Sequence, residues 1–365
     1  MYIKKIELKN FRNYEDFSMD FDKKVNLIVG ENAQGKTNLI EAIYLSSIGR
    51  SFRTNRDSDM IKFDDDRAYV KVYAQKEVID TKVEITINGK SKKSIKKDGS
   101  LVRKTSELID NIIIVIFSPE DLKIVKDEPE KRRKFIDREL AQIKPAYYDC
   151  LSNYKKILLQ RNTYLKEDYV DNKVLSVWDS QLVRYGSDLM KMRKKFIDDI
   201  NVFSGNIHSS ITNGKEKLTL KYVPNIDYVE SSEEQRRIFE ESLQKSYDND
   251  IKLRTTTKGP HKDDMSFFVN GINARNFGSQ GQQRTCALSL KLAELDFIKE
   301  ETGETGILLL DDVMSELDKE RRKYLVDALH NNQIFITATD IDKELTDSYP
   351  EAKIINIEKG KIKIV

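Results

Sequence analysis

One octapeptide limits this chain more than anything else in it. Gly30-Glu31-Asn32-Ala33-Gln34-Gly35-Lys36-Thr37 fits the phosphate-loop pattern without a mismatch. Its glycines let backbone N–H groups curl around a polyphosphate with no Cβ in the way. Lys36 is placed to reach the β and γ phosphates, and the Thr37 hydroxyl to hold Mg²⁺. The context fits as well. Val25-Asn26-Leu27-Ile28-Val29 reads as an apolar strand before the loop, and Leu39, Ile40, Ile43 and Tyr44 line one face of a helix after it. That helix points a favourable dipole at an anion. The segment predicts an α/β P-loop fold in which Gly30 through Thr37 contact ATP.

Far downstream, Ile307-Leu308-Leu309-Leu310-Asp311-Asp312 reads as a buried strand ending in two carboxylates. A strand that delivers an acid beside the phosphate loop completes the Mg²⁺ site in this kind of fold. Asp311 is the metal-side candidate, and Asp312, one residue on, is placed to polarise the attacking water. Gly278-Ser279-Gln280-Gly281-Gln282-Gln283-Arg284 opens a long helix, and a serine with flanking glycines at a helix N-terminus is a second anion-binding device.

Together with Ser315-Glu316-Leu317-Asp318, these segments resemble the signature and D-loop of ABC-type ATPases. That resemblance implies two copies packed head to tail. Ser279, with Gly281 and Gln282, would then complete the γ-phosphate site of the other copy, making Lys36, Asp311, Asp312 and Ser279 the catalytic set. Two departures stand out. The signature here reads Gly278-Ser279-Gln280-Gly281-Gln282 where the family usually has Leu-Ser-Gly-Gly-Gln. Ile336-Thr337-Ala338-Thr339-Asp340 also lacks the switch histidine, so hydrolysis is expected to be slow. Gln75 follows a strand, but nothing else marks it as the family's Q-loop glutamine.

Between these motifs the pattern changes from β to helix and back. Segments 68–75 and 81–88 alternate like strands, and Asn88-Gly89 is a hairpin-turn dipeptide. Ile112 to Phe117 reads as a buried central strand, and Ser118-Pro119-Glu120-Asp121 as the capped start of a helix. Leu175, Trp178, Leu182, Tyr185, Leu189, Met192 and Phe196 step by three and four, a helix seam. Paired with the helix after Pro145 through a loop near Glu167-Asp168-Tyr169, it predicts an antiparallel hairpin whose longer arm reaches roughly 45 Å. Asn270-Gly271 and Lys359-Gly360 mark further hairpins, the last flanked by Ile354 to Ile357 and Ile362 to Val365. The expected architecture is a discontinuous ABC-type head, 1–129 with 255–365, carrying an inserted helical lobe at 130–254.

Composition excludes several classes. The formal net charge is only +2, from 63 basic and 61 acidic residues, so nucleic-acid contact must come from local patches. Two such patches exist: Lys90, Lys92, Lys93, Lys96, Lys97, Arg103 and Lys104, opposed mainly by Asp98, and Arg50, Arg53 and Arg56. Either suits sequence-tolerant phosphate binding, or is simply a solvated face. Cys150 and Cys286 are far apart, which argues against a disulfide framework and for a reducing compartment. His208, His261 and His330 lie apart from one another and from both cysteines, so zinc is not expected. No signal-peptide core or membrane-length apolar run is present, and the chain is expected to be cytoplasmic.

Within the ABC-type ATPases, six segments resemble the RecF family, in that family's order and along nearly the whole chain. They are Leu8-Lys9-Asn10-Phe11-Arg12-Asn13-Tyr14, Phe117-Ser118-Pro119-Glu120-Asp121-Leu122, Arg132-Arg133-Lys134-Phe135, Lys258-Gly259-Pro260-His261-Lys262-Asp263-Asp264, Ser279 to Arg284, and Leu310 to Asp318. The inserted lobe is too short for an SMC arm. The resemblance implies a weak DNA-stimulated ATPase in recombinational gap repair and the SOS response. It also implies an ATP-held homodimer on duplex DNA or single-strand/duplex junctions that works with RecR, and with RecO and RecA in the pathway. Two other readings compete. The ATPase subunit of a membrane transporter would need a transmembrane partner and normally the switch histidine; a small-molecule kinase would leave the signature segment without a role.

Overall fold

The computed structural model describes residues 1–328, 332–340, 347 and 349–363. Strands Tyr2–Phe11 (β1), Tyr14–Asp20 (β2) and Val25–Val29 (β3) lead into helix Lys36–Ile48 (α1). Arg67–Lys76 (β4), Ile79–Asn88 (β5), Ser94–Lys97 (β6), Ser100–Leu101 (β7) and Ile114–Phe117 (β8) follow. The helical stretch is Pro129–Ile143 (α2), Pro145–Tyr164 (α3) and Asn172–Ile211 (α4), then strand Leu218–Val223 (β9) and helix Ser232–Leu253 (α5). Next come Asp264–Val269 (β10), Ile272–Asn273 (β11), the short helix Ala274–Phe277 (α6) and Gln280–Thr302 (α7). Ile307–Leu310 (β12), Lys319–Ala328 (α8), Ile334–Ala338 (β13), Lys353–Glu358 (β14) and Lys361–Ile362 (β15) complete the chain.

The chain divides into two compact units. Met1–Asp121 and Glu294–Val365 form the first, and Leu122–Ala293 the second. The first contains an antiparallel sheet ordered β2-β1-β4-β5-β6-β7 and a second sheet ordered β15-β14-β3-β13-β12-β8. In the second sheet β14, β3, β13, β12 and β8 run parallel. Parallel strands covered on both faces need near-continuous apolar sequence, and Val25–Val29, Ile307–Leu310 and Ile114–Phe117 are buried throughout. One core takes Ile6, Leu8, Val70 and Val83 from the antiparallel sheet, Ile114, Leu309 and Phe335 from the parallel one, and Leu39, Ile43 and Tyr44 from α1. Helix α1 is buried nearly all round rather than on one face; Ser46 and Ser47 return their hydroxyls to Ile43 O and Tyr44 O.

Helices α3 and α4 form the expected antiparallel hairpin. Tyr164 packs on Trp178, Arg161 pairs with Asp179, the Cys150 thiol meets Tyr185 O, and Tyr147 accepts from Arg193. Leu175, Leu182, Leu189 and Phe196 are buried along the seam. At 40 residues α4 is longer than the seam alone indicates, about 60 Å at 1.5 Å per residue. Strand β9 interrupts a stretch read from the sequence as helical. It pairs with β10 along its length, so β10 and β11 belong with the helices of the second unit. The division accordingly falls at 121/122 and 293/294, where the sequence reading set 129/130 and 254/255.

Three local expectations are corrected. Strand β8 lies at the edge of the parallel sheet, not its centre, yet is buried on both faces. Ser118-Pro119-Glu120-Asp121 does not start an α-helix, because the Asp121 carboxylate turns back to accept from both Ser118 N and Ser118 Oγ. Asn88-Gly89 does not make the tight two-residue turn its chemistry favours: neither residue takes a positive φ, Gly89 N donates to Asp66 O, and a longer loop leads from β5 to its antiparallel partner β6. The two-residue turn between β4 and β5 is Glu77-Val78, with Glu77 in the left-handed region (φ 50). Asn270-Gly271 and Lys359-Gly360 do form two-residue turns with both central φ angles positive. Ile364, Val365 and His330 lie outside the described residues.

Candidate nucleotide site

The phosphate loop joins β3 to α1 in the first unit, and backbone geometry dictates its glycines. A Cβ on Gly30 would lie 2.3 Å from Ile357 O of the neighbouring β14. Gly35 has φ 118, and a Cβ there would lie 2.7 Å from Asn13 Nδ2. Ala33 also takes a positive φ of 64. The loop's shape is held from outside: Asn13 Nδ2 donates to Gln34 O at 2.9 Å, Tyr14 OH to Gly35 O at 3.0 Å, and Asn38 Nδ2 to Asn13 Oδ1 at 2.8 Å. From the C-terminal turn, Gly360 N donates to Gln34 O at 2.9 Å and Lys359 N to Gln34 Oε1 at 2.7 Å. Asn13 and Tyr14 were legible only as part of a family segment; the structure gives them a physical task.

Lys36 is buried, its Nζ donating to Gly30 O at 2.6 Å and Glu31 O at 3.0 Å. The ammonium is thus already inside the loop that a polyphosphate would enter. Thr37 Oγ1 donates to Asp311 Oδ1 at 3.0 Å, joining the start of α1 to the end of β12. Burial, reinforced by the neighbouring Asp312 charge, pushes the Asp311 carboxyl above its ordinary range. The hydrogen bonds from Thr37 and Thr337 and the positive charge of Arg53 oppose that shift. Asp312 follows at φ 52 and ψ 13, a left-handed conformation, with its N–H donated to Thr337 Oγ1 at 2.8 Å. Ser315 Oγ returns to Asp312 O, and Asp318 caps α8 through Arg321 N at 3.0 Å.

Behind the loop sits a residue the sequence reading passed over. The Glu41 carboxylate is fully buried in α1 and is bound by both Arg12 Nε (2.9 Å) and Nη2 (2.7 Å), by Ser51 Oγ and by Arg53 Nη1. Arg53 also donates to Asn38 Oδ1 at 2.8 Å. Read from sequence as part of a basic patch, Arg53 is therefore tied to the phosphate-loop helix. A glutamate among Leu39, Ile40, Ala42 and Ile43 was the available signal. Gln75 is committed elsewhere, accepting from Tyr2 OH and donating to Glu77 O.

Ser279 lies in the second unit. It caps α7 in a reciprocal capping box: Gln282 N donates to Ser279 Oγ at 3.2 Å and Ser279 N to Gln282 Oε1 at 2.9 Å. Gln282 Nε2 reaches Glu216 at 2.8 Å. Ser279 is exposed, and Phe277, two residues before it, is 76% exposed. Of the basic patch in the first unit, Lys90, Lys92, Lys96, Arg103 and Lys104 are exposed, whereas Lys93 pairs with Asp57. Asp98 is occupied by Lys82 N and Thr81 Oγ1.

The oxygens of Thr37 and Asp311 are the donors Mg²⁺ takes from protein when it also holds phosphate and water. Among the described residues no group of three or more His, Cys, Asp or Glu could hold a metal ion. His208 is buried against Ser289 and Glu216. No described helix is long and apolar enough to cross a membrane.

Residues 2–361 match the family model described as RecF/RecN/SMC N terminal domain. The chain is 44% identical, over its full length and that of the relative, to the DNA replication and repair protein RecF of Clostridium botulinum. It is 42% identical to the protein of that name from Agathobacter rectalis, over 100% of this chain and 99% of the relative. Among solved structures it is similar to the recombination mediator protein RecF-ATP of the RecFOR pathway (TM-score 0.91, 37% identity, 100% of this chain and 97% of the other). The RecF-ATPrS structure of that pathway matches with a TM-score of 0.92 at 37% identity, over 99% and 97% of the two chains. An SMC head bound to a ScpA domain shares the fold alone, at 18% identity and a TM-score of 0.56 over 100% of this chain and 97% of the other.

Proposed function

This chain belongs to the RecF family of RecF/RecN/SMC proteins, with an ABC-type ATPase fold, and from that premise we propose that it is an ATP-dependent DNA clamp of recombinational gap repair and the SOS response. The observation that carries the reading is the Thr37–Asp311 hydrogen bond, which brings two motifs of nucleotide chemistry together. The relatives solved with nucleotide support ATP as the ligand. Thr37 and Asp311 would hold Mg²⁺, which when bound offsets charge on the β and γ phosphate oxygens. Lys36 leaves its loop carbonyls for those oxygens, the backbone N–H groups of residues 30–36 orient the triphosphate, and Asp312 orients the attacking water.

Two copies pack head to tail, so that Ser279 of one covers the triphosphate held by Lys36 of the other. The exposure of Ser279 and Phe277 leaves that end of α7 accessible to a second copy. The exposed lysines around β5–β7 supply phosphate contacts to duplex DNA or a single-strand/duplex junction, without base reading. The dimer works in the cytoplasm with RecR, and with RecO and RecA in the same pathway, and hydrolysis releases it from DNA.

Sedimentation of the full chain with and without ATP–Mg²⁺ and duplex DNA tests this. ATP converts monomer to dimer, duplex DNA raises turnover, and Ser279→Arg binds ATP yet stays monomeric. A Ser279→Arg protein that dimerises normally with ATP removes the two-half-site mechanism.

A further inference from the structure

Thr337 stands in the segment where a switch histidine is missing, and its side chain carries more than a strand needs. It is 1% exposed near the end of β13, between β3 and β12. Its Oγ1 accepts the Asp312 N–H at 2.8 Å and lies 3.1 Å from Asp311 Oδ1 and 3.2 Å from Asp312 Oδ1, with Leu310 O further away at 3.5 Å. A hydroxyl has one proton and two lone pairs. With a lone pair engaged by Asp312 N–H, that one proton serves one carboxylate at a time. Asp311 Oδ1 already accepts from Thr37, so the two threonines meet at one carboxylate oxygen.

Asp312 gives this arrangement its consequence. Its φ of 52 is left-handed, a region open to aspartate more than to most side chains yet still less favourable than the right-handed one. Such a conformation persists when its surroundings over-determine it, and here the amide is fixed by Thr337 while the carbonyl accepts from Ser315 Oγ. Losing the hydroxyl would leave a part-buried N–H without its acceptor and release the peptide that aims the Asp312 carboxylate.

We propose that Thr337 is a positioning residue for ATP hydrolysis, its hydroxyl setting the Asp312 backbone and holding the Asp311–Asp312 pair in register. The proposal rests on the ATPase reading above. A misplaced water-orienting group costs turnover far more than ground-state binding, and displacements near 1 Å cost on the order of 100-fold.

The test uses the full chain with duplex DNA, measuring ATP turnover and, separately, affinity for a fluorescent ATP analogue. Thr337→Val lowers kcat by about 10–100-fold and changes affinity and KM by less than about threefold, while Thr337→Ser stays within about threefold of the parent in both. On an Asp312→Asn background, Thr337→Val costs little more, since both changes disable one unit. If Thr337→Val does not fold, Thr337→Cys, whose thiol is a weak acceptor, replaces it in the same comparisons. Unchanged kcat in the folded variant overturns the proposal, as does a Thr337→Ser protein as slow as Thr337→Val, or affinity falling in step with kcat. A parent that binds ATP but never hydrolyses it overturns the ATPase reading and this proposal with it; a parent that hydrolyses ATP beside an equally active Thr337→Val protein overturns the proposal alone.

Discussion

Thr37 and Asp311, 274 positions apart in the chain, share a hydrogen bond of 3.0 Å. The parallel sheet makes this possible: β3, which leads to Thr37, and β12, which ends beside Asp311, both flank β13 and deliver their carboxyl ends to one edge. The pair also concentrates cost, since a carboxylate is held there in a buried place.

Asp311 therefore trades stability for ligand binding. Its carboxyl is raised, so the folded state favours the protonated form, and the stabilising contribution present below the ordinary Asp range is lost as pH rises through the raised value. Asp311→Asn should raise the thermal midpoint of the nucleotide-free protein at pH 7, by roughly 2–4 °C per kcal/mol relieved. The gain should shrink as pH falls below the ordinary Asp value, where the parent is protonated too. Nucleotide affinity should lose its Mg²⁺ dependence. Melting curves across pH decide the first part; an Asn variant less stable than the parent at pH 7 would contradict it.

Lys36 donates to two loop carbonyls, contacts that a triphosphate replaces with charge-assisted ones. Lys36→Met should reduce ATP affinity at least about 100-fold, two such contacts being worth roughly 1.5–3 kcal/mol each. Isothermal titration measures it, and a loss below tenfold would show that the ammonium does not meet the phosphates.

The Lys359-Gly360 turn holds Gln34 of the phosphate loop, and a Cβ on Gly360 (φ 72) would lie 2.4 Å from Asn13 O. Gly360→Ala should lift the turn and weaken ATP binding about 5–20-fold, for a strain of about 1–2 kcal/mol. Secondary structure by circular dichroism should be retained. Parental affinity in the variant would mean that the loop keeps its shape without this support.

His261 links Tyr154 OH at 2.7 Å to Thr256 O at 3.0 Å; the carbonyl can only accept, so Nε2 carries the proton and Nδ1 accepts from the tyrosine. Burial holds the imidazole down to about 4. Its depressed value means stability that is complete above the unfolded value near 6.5 and lost as pH falls towards 4, up to about 3 kcal/mol. His261→Gln should be less stable at pH 7 and flatten that limb of the pH–stability curve. A variant with the parent's slope between pH 6.5 and 4 assigns the limb to other groups.

The sequence by itself determined whatever chemistry is local. A glycine-bounded loop with Lys36 and Thr37 needs no neighbour to be recognised, because each residue type answers a requirement of a phosphate. The α3–α4 seam was legible because helix period repeats over many turns, and Asn270-Gly271 because a two-residue turn demands positive φ. Strand β9 escaped notice, since six residues of alternation are a weak signal beside long helices. Asn88-Gly89 misled only as to tightness, because turn chemistry permits a positive φ without requiring one. Tertiary structure alone decided that Asn13 and Gly360 hold the phosphate loop, that Glu41 gathers Arg12 and Arg53, and that Thr337 meets both acids. Those relationships depend on strand order and on helix packing across hundreds of positions, where one hydrogen-bonding side chain looks like any other until the sheet brings its partner within 3 Å.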